Sequence, residues 1–431
     1  MKTILKYATI LLATGMMTAG FSACSDNDDE HTDKVGEILG ESEDSYLGKV
    51  LASYVDQTVN PTYASMAANA EAFYNAMVTL RDGVEKGNAT QAMVDATCER
   101  WKAARADYER SEAFLLGAAS DYDIDPHIDT WPLDLTALHS LLSSPKMLEK
   151  YTTDNDEDNI DKAHADLNQT LLGFHAVEFI IFRNGAPRKV ASFNSGNDDY
   201  NDRANFTDIS ALNELKYGVT VAGDLMYSIY QLEVCWAGTT AAHKAALEAK
   251  EWKTTMPLVN RTYGENMKNA GQSGSLYTSV KAAVSAILTG DGGAAGIVDE
   301  VGQVKMGKPY GLGTNDENKE SDPNYIESPF SHNSLTDFFD NMESVDNVWN
   351  GGFTEGNRSK YSFAAYFAKM NPTLGKKVQD AINDAQAKIK ACPAPFVDNY
   401  RNAAVLNAIN ACTTLKNALE EADEYIQQKN K

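Results

Sequence analysis

The stretch GFHAVEFIIF, residues 173–182, places a histidine and a glutamate three positions apart in an otherwise apolar run. Because successive helical residues are about 100° apart, His175 falls in the middle of the apolar stripe and Glu178 falls on its flank. Burying an imidazole and a carboxylate without polar partners is costly. Two interpretations follow: an internal histidine–glutamate network, or a site for a metal ion or another ligand.

A second helical segment, RWKAARADYERSEAF, carries polar residues on a face that otherwise suits a core. Arg105, Tyr108 and Glu112 share this face with Trp101, where a bundle helix usually presents leucine and alanine. Ser111 borders the same stripe. A solvated face would suit Arg105 and Glu112 but would expose Trp101 and Tyr108, so we expect this stripe to face the interior.

The segment HIDTWPLD lies between these two stretches and places Asp129 beside Trp131 and Pro132. The combined inventory is one histidine, several carboxylates, an arginine and a tyrosine. Helix bundles hold metal ions with such sets, in which glutamate and histidine three residues apart project inward together. One imidazole with oxygen ligands suits a divalent ion of iron, manganese or zinc.

Four blocks of the sequence resemble the imelysin family. GFHAVE fits the family signature G-x-H-x-x-E, and IDTWPLD with the helix before it is also similar. The other two blocks are IVDEVGQVKMGKP and ESPFSHNSLTDFFDNMESVDNVWNG. The four blocks occur in the family's order, and the resemblance covers most of the chain after about residue 45.

The resemblance implies two packed helical bundles with a site near their contact. It implies an envelope protein of iron or metal uptake that binds a metal ion, iron first, or a small metal complex, together with envelope uptake partners. The predicted metal ligands are His175, Glu178, Glu112 and Asp129. The residues predicted to contact the ligand are Arg105, Tyr108, Ser111, Glu327, Ser328 and Ser331, of which the last three rest on the resemblance alone.

Two other functions stay open at this stage. A metallopeptidase needs a metal-bound water and a nearby base, and its usual motif H-E-x-x-H is absent from the chain. No catalytic residue is therefore predicted, although one histidine with carboxylates could still hold zinc. The other alternative is a helical scaffold whose buried polar network binds no ligand.

Apolar periodicity near 3.6 residues predicts an all-α protein. The predicted helices cover residues 46–59, 64–80, 92–116, 160–182, 209–237, 276–288, 334–349 and 374–389, and then continue to 425. Asn60 and Pro61 are expected to separate the first two helices. We place an N-terminal bundle at residues 45–205 and a C-terminal bundle at 206–431, divided at a polar, glycine- and asparagine-rich segment.

Residues 1–23 have the charged start and short apolar stretch of a signal peptide, and small residues precede Cys24. This order predicts lipidation of Cys24 and an acidic, disordered tether over residues 24–44. We expect an outer-membrane lipoprotein facing the cell surface or the periplasm, with membrane contact through its lipid alone. The formal net charge is −23, and −25 once Lys2 and Lys6 leave with the leader, which argues against binding nucleic acid.

Overall fold

The structure is a computed structural model that describes residues 35–153, 155–238, 240–257, 259–312 and 321–428. Within these ranges the chain is mainly helical, and its strands form two short hairpins. The predicted all-α class is therefore confirmed. The predicted leader and Cys24 lie outside the described residues. In the described part, no helix is both long and apolar enough to cross a membrane.

The α-helices are numbered here in chain order. Their bounds are α1 Glu43–Ser53, α2 Asn60–Glu85, α3 Gln91–Glu109, α4 Ala118–Asp121, α5 Ile124–Asp129, α6 Leu135–Leu142, α7 Pro145–Glu149, α8 Asp156–Asp166, α9 Gly173–Ile181, α10 Val190–Ser195, α11 Ala211–Ala237, α12 Ala241–Ala249, α13 Tyr263–Lys268, α14 Val280–Leu288, α15 Ala294–Glu300, α16 Gly307–Tyr310, α17 Ser334–Asn350, α18 Phe363–Met370, α19 Pro372–Lys390, α20 Phe396–Asn399 and α21 Ala403–Gln428.

Shorter elements connect these helices. Two π-helices cover Tyr54–Val59 and Val301–Lys305, and 3-10 turns cover Glu112–Phe114, Gln169–Leu171, Pro323–Tyr325 and Glu355–Asn357. The antiparallel hairpins are β1 Phe182–Arg183 with β2 Ala186–Pro187, and β3 Asn201–Asp202 with β4 Ala204–Asn205. Residues 35–39 form a helical turn with Val35 and Leu39 buried, so packed structure begins within the predicted tether.

The break predicted at Asn60 and Pro61 does not occur. The π-helix Tyr54–Val59 joins α1 directly to α2, and the N–H of Asn60 donates to the carbonyl of Val55, five residues earlier. Proline lacks an N–H and crowds the carbonyl four residues before it, which disrupts a regular α-helix. A π-turn shifts the hydrogen-bond pattern by one residue, so the chain passes Pro61 without leaving the helix.

Two groups of helices form the body of the protein. In the first, α2, α8 and α9 pack on α11, and α3 packs on α2 and α9; in the second, α15 and α19 pack on α21, and α17 packs on α15 and α19. The groups meet where α3 packs on α17. The division predicted at residue 205 assigned α11 to the C-terminal bundle, whereas α11 packs most extensively against the N-terminal helices. The exact division into domains stays a prediction.

The helix predicted over residues 160–182 is divided into α8, the turn Gln169–Leu171 and α9. Gly173 begins α9 with φ +71°, and a Cβ at this position would lie 2.0 Å from the carbonyl oxygen of Ile128. Only glycine tolerates this conformation and this close approach. The glycine of the GFHAVE motif therefore lets α9 start against the end of α5, which brings His175 beside Asp129.

We expect Gly173→Ala to lower the free energy of unfolding by more than the roughly 1–3 kcal/mol of backbone strain, because the methyl group also overlaps the Ile128 carbonyl. Gly87→Ala is the matched control: Gly87 has φ +69°, but a Cβ there meets nothing within 4 Å. Urea unfolding of both variants and wild type measures the difference. Equal losses in the two variants would show that the overlap relaxes without cost.

Candidate functional site

A buried polar site lies where the two groups of helices meet. It is built from α3 and the turn after it, the end of α5, the start of α9, the second π-helix, the loop before α17, and α17 itself. Its main side chains are each at most 4% exposed: Arg105, Glu109, Glu112, Asp129, His175, Glu178, Lys305, Glu327, Asp337 and Asn341.

Glu178 links His175 to the loop before α17. Its Oε1 accepts the N–H groups of Phe330 and Ser331 at 3.0 and 2.7 Å, and the hydroxyl of Ser331 at 2.7 Å. Its Oε2 lies 3.1 Å from Nδ1 of His175. Since Oε2 accepts here, Nδ1 carries a proton, and Nε2 faces Oδ1 of Asp129 at 3.3 Å. Glu178 thus fixes which imidazole nitrogen points into the site.

Arg105 connects carboxylates from four segments. Its Nη1 donates to Oδ1 of Asp129, and its Nη2 donates to Oε1 of Glu327 at 2.7 Å. The same Nη2 forms an ion pair with Glu109 one turn later on α3, and Nε lies 3.6 Å from Oδ2 of Asp337. Arginine suits this position because it stays charged and its planar fork can bind several carboxylates.

Lys305 is the second buried cation of the site. Its Nζ donates to Oε2 of Glu112 at 2.8 Å and to Oε1 of Glu327 at 3.1 Å, and it lies 3.5 Å from Oε2 of Glu109. The side-chain amide of Asn341 donates to Glu109 and Glu112. Glu327 is therefore shared between Arg105 and Lys305, and it joins the two ion-pair groups.

The described site contains more acidic than basic groups. Six buried carboxylates, those of Glu109, Glu112, Asp129, Glu178, Glu327 and Asp337, face the two cations Arg105 and Lys305. The formal excess is four negative charges, or three with a proton added to His175. Because uncompensated buried charge is expensive, either protons or a cation must balance it.

Several of these carboxyl groups hold protons more tightly than usual. Burial raises the pKa of Glu327 to about 7, with Glu109 and Asp129 adding to the effect. Burial also raises the pKa values of Glu112 and Asp337 well above their ordinary range, although Lys305 and Arg105 respectively oppose the rise. A bound cation would favour the ionised carboxylates and so compete with these protons.

Asp129 and His175 show opposite behaviour. Burial alone would raise the pKa of Asp129, but Arg105 and His175 hold it at about 2. Burial alone would lower the pKa of His175, but the neighbouring carboxylates of Asp129 and Glu178 raise it to about 9. Near neutral pH the ion-free site therefore pairs an imidazolium with the Asp129 carboxylate.

Three side chains bring potential metal ligands together. Asp129, His175 and Glu327 each offer a ligand atom, and these atoms lie within 4.8 Å of one another. Each side chain also has a buried atom without a hydrogen-bond partner, namely Asp129 Oδ2, His175 Nε2 and Glu327 Oε2. A cavity of about 30 Å³ adjoins His175 between Trp131 and Phe330. One nitrogen and two oxygen ligands fit a divalent metal ion.

A surface cleft leads to the acidic side of the site. Its volume is about 610 Å³, and Glu112 contributes to its lining. The other charged side chains of the lining are Asp291, Asp299, Glu300, Lys416 and Glu420. A cleft lined mainly by one sign of charge raises the local concentration of counter-ions. Cations are therefore attracted to the surface beside Glu112.

The Imelysin family model, labelled peptidase M75, matches residues 59–422, which is most of the chain. The chain belongs to the imelysin family. The predicted resemblance is thus confirmed. Iron-regulated protein A of Synechococcus elongatus is 23% identical over 387 residues, which cover 88% of this chain and 87% of that protein.

Two solved structures of similar proteins share the fold. One, described as an iron-regulated protein A precursor of Parabacteroides distasonis, has a TM-score of 0.69 at 27% identity and covers 88% of this chain and 95% of its own. An imelysin-like protein of Psychrobacter arcticum has a TM-score of 0.54 at 12% identity, over 88% of this chain and 94% of its own. The second similarity shows the fold alone.

The four predicted metal ligands do not all face the same point. Asp129 and His175 lie together with Glu327, whereas Glu178 is bonded to the loop before α17 and to His175 Nδ1. Glu112 is bonded to Lys305 and Asn341. In this conformation Glu178 and Glu112 support the group of three rather than join it. Their assignment as metal ligands stays a prediction.

The predicted ligand contacts are also divided. Arg105 and Ser331 lie within the network, and Ser328 donates to Asp337 Oδ2 at 2.5 Å. Tyr108 donates to Asp125, and Ser111 donates to the backbone carbonyl of Tyr108 at 2.7 Å. The hydroxyl groups of Tyr108 and Ser111 therefore already donate hydrogen bonds within the protein. Whether Tyr108 and Ser111 contact a ligand stays a prediction.

Sequence reasoning missed four residues of the site. They are Glu109, Lys305, Asp337 and Asn341. Helical spacing held a signal for three of them, because Glu109 is four residues after Arg105 and Asn341 is four residues after Asp337. Lys305 lies in the block IVDEVGQVKMGKP, whose sequence pattern does not indicate whether this lysine is buried or exposed.

In metal-free protein we expect His175 to titrate near pH 9, and Glu178→Gln to lower that midpoint because an amide stabilises the imidazolium less than a carboxylate does. Since the pKa is raised from 6.5, the stability this group contributes is complete below pH 6.5 and is lost as pH rises through about 9. NMR titration of the imidazole measures both midpoints. An identical midpoint in the variant would show that Glu178 does not stabilise the imidazolium.

Proposed function

We propose that this protein binds one divalent metal ion, iron first, or a small metal complex, in metal uptake at the cell envelope. The observation that carries the proposal is the convergence of ligand atoms of Asp129, His175 and Glu327 in a site with excess negative charge, where each of these side chains also has a buried atom without a hydrogen-bond partner. Iron is placed first because two relatives are described as iron-regulated protein A. Zinc and manganese suit the same ligands.

The chain's own residues have distinct parts in this proposal. Glu178 keeps the Nδ1 proton of His175 and turns Nε2 towards the ion, which is the usual arrangement of a carboxylate behind a metal-bound histidine. Arg105 and Lys305 hold Asp129 and Glu327 in place through their other oxygens. Binding displaces a proton from His175, so affinity should rise with pH below about 9.

A ligand-free scaffold is the competing function. Its support is that Arg105 and Lys305 already pair with five of the six carboxylates, leaving Glu178 to His175 and the loop. In a pure network, truncating one partner leaves a buried charge alone and destabilises the protein whether or not metal is present. In a metal site, the same truncation removes the stabilisation that added metal provides.

Thermal melts distinguish the two functions. A bound ion at 100 times its dissociation constant stabilises the folded state by roughly 2.7 kcal/mol. We expect iron, manganese or zinc to raise the melting temperature of wild type and His175→Ala to reduce the rise; a reduction in Glu112→Gln as well would support the predicted role of Glu112 as a ligand. Equal shifts in all three proteins would place the ion elsewhere, and no shift in wild type would favour the scaffold.

The metal itself is identified by elemental analysis. Protein purified without chelators is compared with His175→Ala purified in parallel. We expect wild type to hold one equivalent of metal, mainly iron, more than the variant holds. The same metal content in both preparations would contradict a site at His175.

The envelope location is part of the proposal and is supported by the order of charged, apolar and small residues before Cys24. A lipid on Cys24 would hold the acidic protein at the outer membrane without a spanning helix, where envelope uptake partners would receive or deliver the metal. We expect Cys24→Ala to abolish incorporation of a labelled fatty acid and to release the protein from the membrane fraction. Continued labelling of the variant would refute lipidation at this cysteine.

A further inference from the structure

A second group of metal-ligand side chains lies outside the site described above. His127 on α5 and His164 on α8 both face Asp224 on α11. Nε2 of His127 lies 2.8 Å from Oδ2 of Asp224, and Nδ1 of His164 lies 2.8 Å from Oδ1. Each carboxylate oxygen thus meets a different imidazole. One ligand atom from each of the three residues lies within 4.8 Å of the others.

Close packing of α8 on α11 creates this arrangement. A Cβ at Gly223 would lie 2.2 Å from Cδ1 and 2.6 Å from Cγ1 of Ile160, so the glycine leaves room for the Ile160 side chain of α8 to pack against α11. His164 lies one helical turn after Ile160, and Asp224 directly follows Gly223. The ring of Trp252 stacks on His164 with centroids 3.9 Å apart. Three helices and an aromatic ring therefore hold the ligand atoms in position.

The group combines a buried anion with accessible imidazoles. The Asp224 side chain is 0% exposed, whereas those of His127 and His164 are 13% and 35% exposed. An ion held by these three residues would keep a position open towards solvent, as three-ligand zinc sites do.

We propose that His127, His164 and Asp224 form an outer binding site for a divalent cation that accepts imidazole ligands, with Zn²⁺ as its representative. The ion takes the place of the two imidazole–carboxylate hydrogen bonds, and each imidazole keeps its other nitrogen for a proton. Magnesium, which prefers an all-oxygen octahedral shell, does not suit this set. This site is independent of the ion proposed at Asp129, His175 and Glu327.

The position of α5 separates the two sites. His127 and Asp129 are two residues apart on this helix, so their side chains point in directions about 200° apart. His127 faces α11 and Asp129 faces Arg105. One short helix thus presents a ligand to the outer site on one side and to the inner site on the other.

The test uses substitutions that keep the hydrogen bond but cannot replace the metal ligand. In His164→Asn, the side-chain NH2 group of asparagine lies near the position of the original Nδ1. In His127→Gln, the NH2 group of glutamine lies near the position of the original Nε2. Both groups can still donate a hydrogen bond to Asp224. His139→Gln is the matched control, because Nε2 of His139 lies 3.1 Å from Asp208 in a pair that has no second histidine. Circular dichroism and melting in chelator check that each variant is folded.

Zinc ion alone is titrated into the purified proteins by calorimetry, in the wild-type and His175→Ala backgrounds. We expect one zinc equivalent to persist in His175→Ala and to disappear when His164→Asn or His127→Gln is added. Loss of a direct ligand should weaken binding by more than about 100-fold, the upper range for residues that only support a ligand. His139→Gln should bind zinc as its parent does, and magnesium should not compete.

The contrary results are equally definite. Unchanged zinc affinity in His164→Asn and His127→Gln would show that the three residues form a hydrogen-bonded group and hold no ion. Absence of the zinc equivalent in the His175→Ala background, or its loss in His139→Gln, would also overturn the outer site. If only the proposal for the inner site is wrong, His175→Ala still binds one zinc ion at the outer site. The two proposals are therefore tested separately.

Discussion

The guanidinium of Arg105 holds carboxylates from both groups of helices in one buried place. Its partners come from α3, α5, the loop before α17 and α17 itself. Removing one partner from a buried ion pair typically costs about 3–5 kcal/mol, because the remaining charge is left alone. The contact between the two groups and the geometry of the site therefore depend on the same side chain.

The buried basic side chains do not balance the negative charge of this site. Arg105 and Lys305 position the carboxylates, but the acidic groups outnumber them, and burial makes several carboxyl groups retain protons. In the proposed function, an incoming cation replaces these protons.

The short helix α5 takes part in three polar groups. Asp125 accepts the hydroxyl of Tyr108, His127 faces Asp224, and Asp129 pairs with Arg105. A helix of six residues has little stability by itself, so these contacts and the close approach of Gly173 hold it in place. Residues on α5 are thus positioned by tertiary contacts on several sides, and its place in the fold links the inner site to the outer group.

The amino-acid sequence by itself determined the helical class, the family and the pairing of His175 with Glu178, because helical periodicity and three-residue spacing are local properties. It also marked Arg105 and Asp129 as buried candidates, since each lies among large apolar residues. Only the tertiary structure decided that Lys305 belongs to the site, because a polar residue in a helical segment looks the same in the sequence whether it faces solvent or another helix. It likewise placed His164 on a separate helix beside Asp224, since the break before Gly173 depends on a contact with Ile128 that is distant in sequence.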